Sequence, residues 1–208
     1  MVRLVTIERE YGSGGAEIAR KVADRLGWKL WDRLLTEEIA RLMDCPSRAV
    51  EEHEEKRDSP QYRLFKAFMR GSFEGTLNAP RLGLVDSDCI RQAADQVVTM
   101  AAKAGNAVIV GRGSAYFLRD RPDMFHVFVY APFEAKVRRL RAEGVSAEEA
   151  GELAQTVDTD RAEYIKQYFG VDWPDRHLFH LMINTALGDE VVVQTILDSV
   201  AEFDKRSG

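Results

Sequence analysis

The chain is expected to fold as an α/β domain, a parallel sheet covered on both faces by helices. Two observations carry this. Short apolar runs such as Ala107–Val110 and Val127–Ala131 alternate with segments of helical periodicity. These runs also lack the in–out alternation of a half-solvated sheet. Both of their faces must therefore be covered, which is the pattern of parallel strands joined by helical crossovers. At 208 residues, 45% hydrophobic and 30% charged, the chain suits a single globular domain spanning 1–208.

The elements follow in order. Leu4–Ile7 reads as a buried first strand. From Gly15 to Leu26 the apolar positions Ile18, Val22 and Leu26 recur every four residues, one helix face, with Gly27 as its stop. Lys29–Trp31 is a short second strand ending at Asp32. Leu34–Met43 is expected to be helical and closed by Pro46, and the glutamate-rich Ser47–Asp58 to be a solvated helix. Gly71–Gly83, rich in Gly, Ser, Asn and Pro, reads as a loop. A helix over Asp86–Ala104 stops at Gly105, and the strand Ala107–Val110 leads into Gly111-Arg112-Gly113. The strand His126–Tyr130 precedes a basic helix, Phe133–Glu143. Ser146 with Glu149 forms a capping-box pattern that opens one or two helices reaching Phe169. A strand over Leu178–Ile183 and a helix over Glu190–Phe203 complete the chain.

The net charge of -5 supplies no basic field for nucleic acid. The two cysteines, Cys45 and Cys89, lack the spacing of a zinc site or a disulfide framework. Charged Glu8, Arg9 and Glu10 interrupt the first apolar run as no secretion signal would. The other apolar runs are too short for a bilayer. A cytoplasmic protein with no membrane partner is expected.

Ligands of a parallel sheet gather beyond the carboxyl ends of its strands. That places Arg9 to Gly15, Asp32-Arg33, Gly111-Arg112-Gly113 and the region after Tyr130 around one candidate site. Gly12-Ser13-Gly14-Gly15 joins the first strand to the first helix, where backbone N–H groups can converge on phosphate. The alternative is a plain tight turn that uses positive φ. The lysine and hydroxyl of the G-x-x-x-x-G-K-[ST] pattern are replaced by Gly15 and by Ala16 or Glu17. A single preorganised charge at developing negative oxygens is worth about 3 kcal/mol, so a kinase lacking that lysine needs a substitute. Glu17 either repels phosphate or simply favours the helix dipole.

Arg112 between two glycines suits a bidentate phosphate grip, or a loop-supporting salt bridge. Asp158, Arg161 and Tyr164 recur every three residues along one helix face, as part of a closing lid or as an exposed ion pair. Lys136, Arg138, Arg139 and Arg141 crowd one helix, and at least one of them should reach the strand ends. Asp32 serves either as a substrate-orienting carboxylate or as a helix cap. His177 and His180 have no third ligand nearby, so no metal site is expected there.

Five segments, in this order, resemble the cytidylate kinase-like family, a divergent branch of the nucleoside monophosphate kinases. They are Glu8-Arg-Glu-Tyr-Gly-Ser-Gly-Gly-Ala-Glu-Ile-Ala19, Val108-Ile-Val-Gly-Arg-Gly113, Tyr130-Ala-Pro132 with its basic helix, Asp158-x-x-Arg161-x-x-Tyr164, and Ile183-Asn-Thr185. The resemblance implies a P-loop kinase fold with its core over 1–32, 86–145 and 176–208. It also implies a substrate-binding insertion over 33–85 and a lid over 146–175. The implied reaction moves the γ-phosphoryl group of ATP, with Mg2+, to CMP or dCMP.

On that basis Gly12, Ser13, Gly14, Gly15, Ala16, Glu17 and Arg139 are expected around the donor nucleotide. Asp32, Arg33, Arg112, Asp158, Arg161 and Tyr164 are expected around the acceptor. Arg112, Arg161 and Arg9 are the expected catalytic cations, with Arg9 as first candidate to replace the lysine. Typical cytidylate kinases carry Gly-Ser-Gly-Lys and Arg-Asp where this chain has Gly-Ser-Gly-Gly and Arg112-Gly113. Metal ligands and oligomeric state are not assigned. A catalytically silent nucleotide binder, a kinase for another small phosphoacceptor and an interaction protein built on the Ser47–Asp58 helix stay open as alternatives.

Overall fold

The computed structural model describes residues 1–35, 38 and 87–207. Most of the expected 34–43 helix, the 47–58 helix and the 71–83 loop lie outside the described residues, as does nearly all of the 33–85 insertion. The strands are β1 (Leu4–Arg9), β2 (Lys29–Trp31), β3 (Ala107–Val110), β4 (Met124–Tyr130) and β5 (Leu181–Asn184). Among the described residues the helices of eight residues or more are α1 (Gly15–Leu26), α2 (Ser87–Ala104), α4 (Phe133–Ala142), α5 (Ala147–Phe169) and α6 (Asp189–Ser207), and a one-turn helix α3 spans Ser114–Phe117.

All strand pairs are parallel, in the order β2-β3-β1-β4-β5. The chain leaves β1 on one side through β2 and β3, then crosses to the other side for β4. This places a topological switch point at the carboxyl end of β1, where open α/β sheets hold their ligands. Alternate residues of each central strand feed two cores. Val5, Ile7, Val108, Val110, Val127 and Val129 meet α1 and α6. Leu4, Ile109, Met124 and Phe128 join the other core with α2 residues Val97 and Val98 and with Tyr164 and Ile165 of α5. Each fully buried Val, Leu or Ile contributes roughly 1.5–3 kcal/mol, so continuous apolar strands hold helices on both faces.

Boundaries differ from the sequence expectation where pairing decides them. β1 runs two residues past Ile7 because Glu8 and Arg9 pair with Phe128 and Val129 of β4. β5 starts at Leu181, since Leu178 is tied to Asp175 in a turn. α3 was not expected: it is four residues long and follows three consecutive left-handed residues, Gly111, Arg112 and Gly113. The segment after Ser146 is a single helix, and the Ser146 hydroxyl accepts the Glu149 amide at 3.2 Å as the capping pattern required. No helix among the described residues is long and apolar enough to cross a membrane.

His126, inside β4, is 2% exposed and sits 2.7 Å from the Thr6 hydroxyl. His180 accepts the His126 amide through Nδ1 and stacks on its ring. Burial, then the His180 ring, pushes the His126 pKa down to about 4. The unfolded chain therefore binds the proton first as pH falls, and stability drops from about pH 6.5 towards 4. Urea unfolding should show a loss of about 2 kcal/mol between pH 7 and 5 from this group alone. His126→Gln should flatten that slope.

Candidate functional site

β1 delivers Glu8 and Arg9 to the switch point, and the chain then turns through Gly12 and Gly14, both at left-handed φ, into α1. The helical ladder begins with the Ile18 amide donating to the Gly14 carbonyl. The amides of residues 15–17 thus open the helix without intrahelical partners, as an anion site requires. The turn is held from several sides. The Ser13 hydroxyl donates to the Glu10 carbonyl at 2.7 Å. The Ser13 carbonyl accepts from Thr185 Oγ1 at 2.8 Å and from the Arg139 guanidinium. Arg139 also donates to Thr185 and to Asp189, each at 2.8 Å. A Cβ on Gly14 would lie 2.9 Å from the Arg139 guanidinium carbon, so this cation rests directly on the turn.

A second anchor reaches the turn from α5. Asp158 accepts the Tyr11 amide at 2.7 Å, Lys136 Nζ at 3.0 Å and Arg161 Nη1 at 3.2 Å. Lys136 also meets Glu10 at 3.2 Å. Burial lowers the proton affinity of Lys136, but the Asp158 and Glu10 carboxylates outweigh it and raise its pKa. Arg161 donates to the Arg9 carbonyl at 2.9 Å, and its guanidinium lies 5.9 Å from the centre of the Tyr11 ring. The 158–161–164 face of α5 is therefore turned inward onto the phosphate-type turn.

Beside the turn, Glu8, Arg9, Arg112, Gly113, Arg161, Tyr164, Ile165 and Trp173 line a narrow cleft. Arg9 and Arg112 are buried, and three guanidinium groups share this small volume. Burial and the neighbouring Arg9 charge push the Arg112 pKa down to about 9, with Asp32 opposing, so it stays charged at neutral pH. Arg112 adopts φ 61, a left-handed conformation that costs a non-glycine residue of order 1 kcal/mol or more. A Cβ on Gly111 would run into the Arg9 guanidinium, so the Gly-Arg-Gly bend lets two arginines pack together.

Gly15 explains the altered turn. A Cβ there would stand 2.7 Å from Arg9 Cβ and 2.8 Å from Arg9 Cγ. Arg9 therefore occupies the space into which a lysine stem at position 15 would project.

The structure brings Arg9, Arg112, Arg161 and Tyr164 to one cleft, with Gly12 to Gly15 and Arg139 next to it. Asp32, at the end of β2, is half-buried and acts on the charge of Arg112. Asp158 faces the turn, with both of its oxygens bonded within the protein. Ala16 is half-buried. Glu17 instead pairs with Arg20 at 2.6 Å on the exposed side of α1, and that bond lowers its pKa. Arg33 is exposed at the start of the 33–85 segment. Of the basic α4 residues, Lys136 and Arg139 reach the site, while Arg138 and Arg141 are exposed. Glu8, Glu10, Tyr11 and Thr185 lie inside the segments that resemble the family, but sequence reasoning assigned them no individual role. Extending the β1 alternation Leu4, Thr6, Glu8 would have put Glu8 on the α2–α5 face.

A parallel sheet with a glycine turn and clustered guanidiniums at its switch point defines a kinase-like α/β protein by its architecture. The chain belongs to the cytidylate kinase-like family, whose model matches residues 4–187. It is 33% identical over 106 residues to a cytidylate kinase of Ignicoccus hospitalis, covering 49% of this chain and 60% of that protein. It is 36% identical over 89 residues to a cytidylate kinase of Aeropyrum pernix, covering 41% of this chain and 50% of that protein. The matched region thus spans half to three fifths of these relatives. Among solved structures, an uncharacterized protein from Eubacterium ventriosum superposes with TM-score 0.68 at 21% identity, over 97% of this chain and 99% of that one. Shikimate kinase from Acinetobacter baumannii in complex with shikimate gives 0.55 at 16% identity, over 97% and 94%. Both share the fold.

Two outcomes follow from these contacts. Gly15→Lys alone should lose about 1–3 kcal/mol by overpacking against Arg9. Adding Arg9→Gly should recover part of that loss, a coupling that thermal melts of the single and double variants would measure. Asp158→Ala leaves the Tyr11 amide unpaired and Lys136 with Glu10 as its remaining carboxylate, and should cost about 1–3 kcal/mol in urea unfolding.

Proposed function

We propose that this protein is a nucleotide-binding phosphotransferase that moves the γ-phosphoryl group of ATP to a nucleoside monophosphate, with CMP and dCMP first among acceptors. The observation that carries the reading is the convergence of Arg9, Arg112 and Arg161 in one cleft beside the glycine turn. Phosphoryl transfer needs alignment and charge neutralisation more than covalent help from the protein. In this reading the amides at the start of α1 hold the donor phosphates. Arg112 and Arg161 grip the acceptor phosphate, and Arg9 supplies the cation that position 15 lacks. Tyr164 and Trp173 shield the cleft wall from water. The 146–175 segment acts as the lid and 33–85 as the acceptor-binding insertion.

The residues fit Mg2+ only in part. Ala16 stands where the usual hydroxyl ligand would be, and among the described residues no cluster of three His, Cys, Asp or Glu could hold a metal. Bound with the nucleotide, magnesium would supply neutralising charge to the phosphates.

A second reading, a nucleotide binder without turnover, is favoured by Arg139. Its nitrogens bond Ser13, Thr185 and Asp189, the behaviour of a loop anchor. A coupled assay of ADP release against a panel of monophosphates separates the two. Turnover is expected, with Arg9→Ala and Arg112→Ala each lowering it about a hundredfold or more. Unchanged rates would remove both arginines from the mechanism. Nucleotide uptake by calorimetry with no ADP released would establish the second reading.

A further inference from the structure

Glu8 has no part in the reaction proposed above, yet it sits in the same cleft. It is 5% exposed, and its Oε1 has no hydrogen-bond partner among the described residues. The groups that face it come from four elements. They are Arg9 on its own strand, Arg112 after β3, the Ala115 amide and Tyr116 of α3, and Arg161 and Tyr164 of α5. Arginine side chains only donate hydrogen bonds, so the guanidiniums select an anion. An anion gripped in so narrow a cleft also meets a carboxylate oxygen. Two such oxygens in contact cannot both keep full negative charge. A single proton between them converts repulsion into a short, charge-assisted hydrogen bond.

We propose that Glu8 is a specificity-determining residue that shares one proton with the phosphate of the acceptor, so that a phosphomonoester enters this cleft with uptake of a proton. This rests on reading the cleft as the acceptor site. Above pH 7 a free phosphomonoester is mostly dianionic, since its second pKa is about 6. Burial raises the Glu8 pKa, while Arg9, Arg161 and Arg112 hold it down. Once the guanidiniums are neutralised by phosphate, burial dominates and the carboxylate takes a proton from solvent. No bond to phosphorus forms or breaks in this step. The bound state gains one proton and one O–H···O hydrogen bond, and Oε1 gains a hydrogen-bond partner.

The test is calorimetry of the full chain with CMP, and in a separate arm with inorganic phosphate. It is run at pH 8 in two buffers of different protonation heat. The wild type should take up close to one proton per ligand, and its affinity should fall up to about tenfold between pH 7.5 and 8.5. Glu8→Gln should abolish the uptake, flatten the pH dependence and bind more tightly than wild type at pH 8.5. Glu8→Ser serves as a second, smaller variant, and melting curves check that both are folded. Binding without proton uptake in the wild type overturns the role of Glu8 alone. Equal uptake in Glu8→Gln also overturns it, because the proton would then be going to a group other than Glu8. Absence of binding by both CMP and phosphate overturns the acceptor-site reading and this inference with it.

Discussion

Everything at the site depends on holding three guanidinium groups together at the end of β1. Like charges at such distances repel, and burial strengthens the repulsion by removing water. The fold opposes it with short, local devices. Glu8 stands among the cations, Asp32 acts on Arg112 from the next strand end, and Arg161 spends hydrogen bonds on the Arg9 carbonyl and on Asp158. The left-handed bend at Gly111–Gly113 is backbone strain accepted at the same point.

The glycine turn obeys the same constraint from another direction. Its geometry is not carried by the turn residues alone. Arg139 and Thr185 hold the Ser13 carbonyl from the α4 and β5 side. Asp158 holds the Tyr11 amide from α5, and Lys136 ties Asp158 to Glu10. A small apolar cluster of Tyr11, Leu140, Ala150, Ala154 and Val157 lies beneath these bonds. Movement of α5 is thereby coupled to the amides that would face phosphate. Helix α5 and the glycine turn are thus tied by direct bonds in this conformation.

Glycine at position 15 is not an isolated feature of the turn. The Arg9 stem fills the space next to Gly15, and its head lies over Gly111. Arginine at 9, glycine at 15 and glycine at 111 form a set in which each residue makes room for another.

Much of the architecture was legible along the chain because it rests on local chemistry. Continuous apolar runs marked β3 and β4, a four-residue spacing marked α1, and the Ser146–Glu149 pair marked the start of α5. The glycine turn and the arginine between two glycines marked the ligand end of the sheet. Other features depended on partners distant in sequence. The two extra residues of β1 are strand only because β4 pairs with them, and that register is what turns Glu8 into the cleft. Glu17 had an equally good local reason to face phosphate, but Arg20 one turn away draws it to solvent. Residue spacing could place the 158–161–164 face on a helix without saying what lay opposite. Chain pattern reports the hydrogen-bonding and burial habits of neighbours, whereas the meeting of Arg9, Arg112 and Arg161 required packing of segments 49 to 152 residues apart.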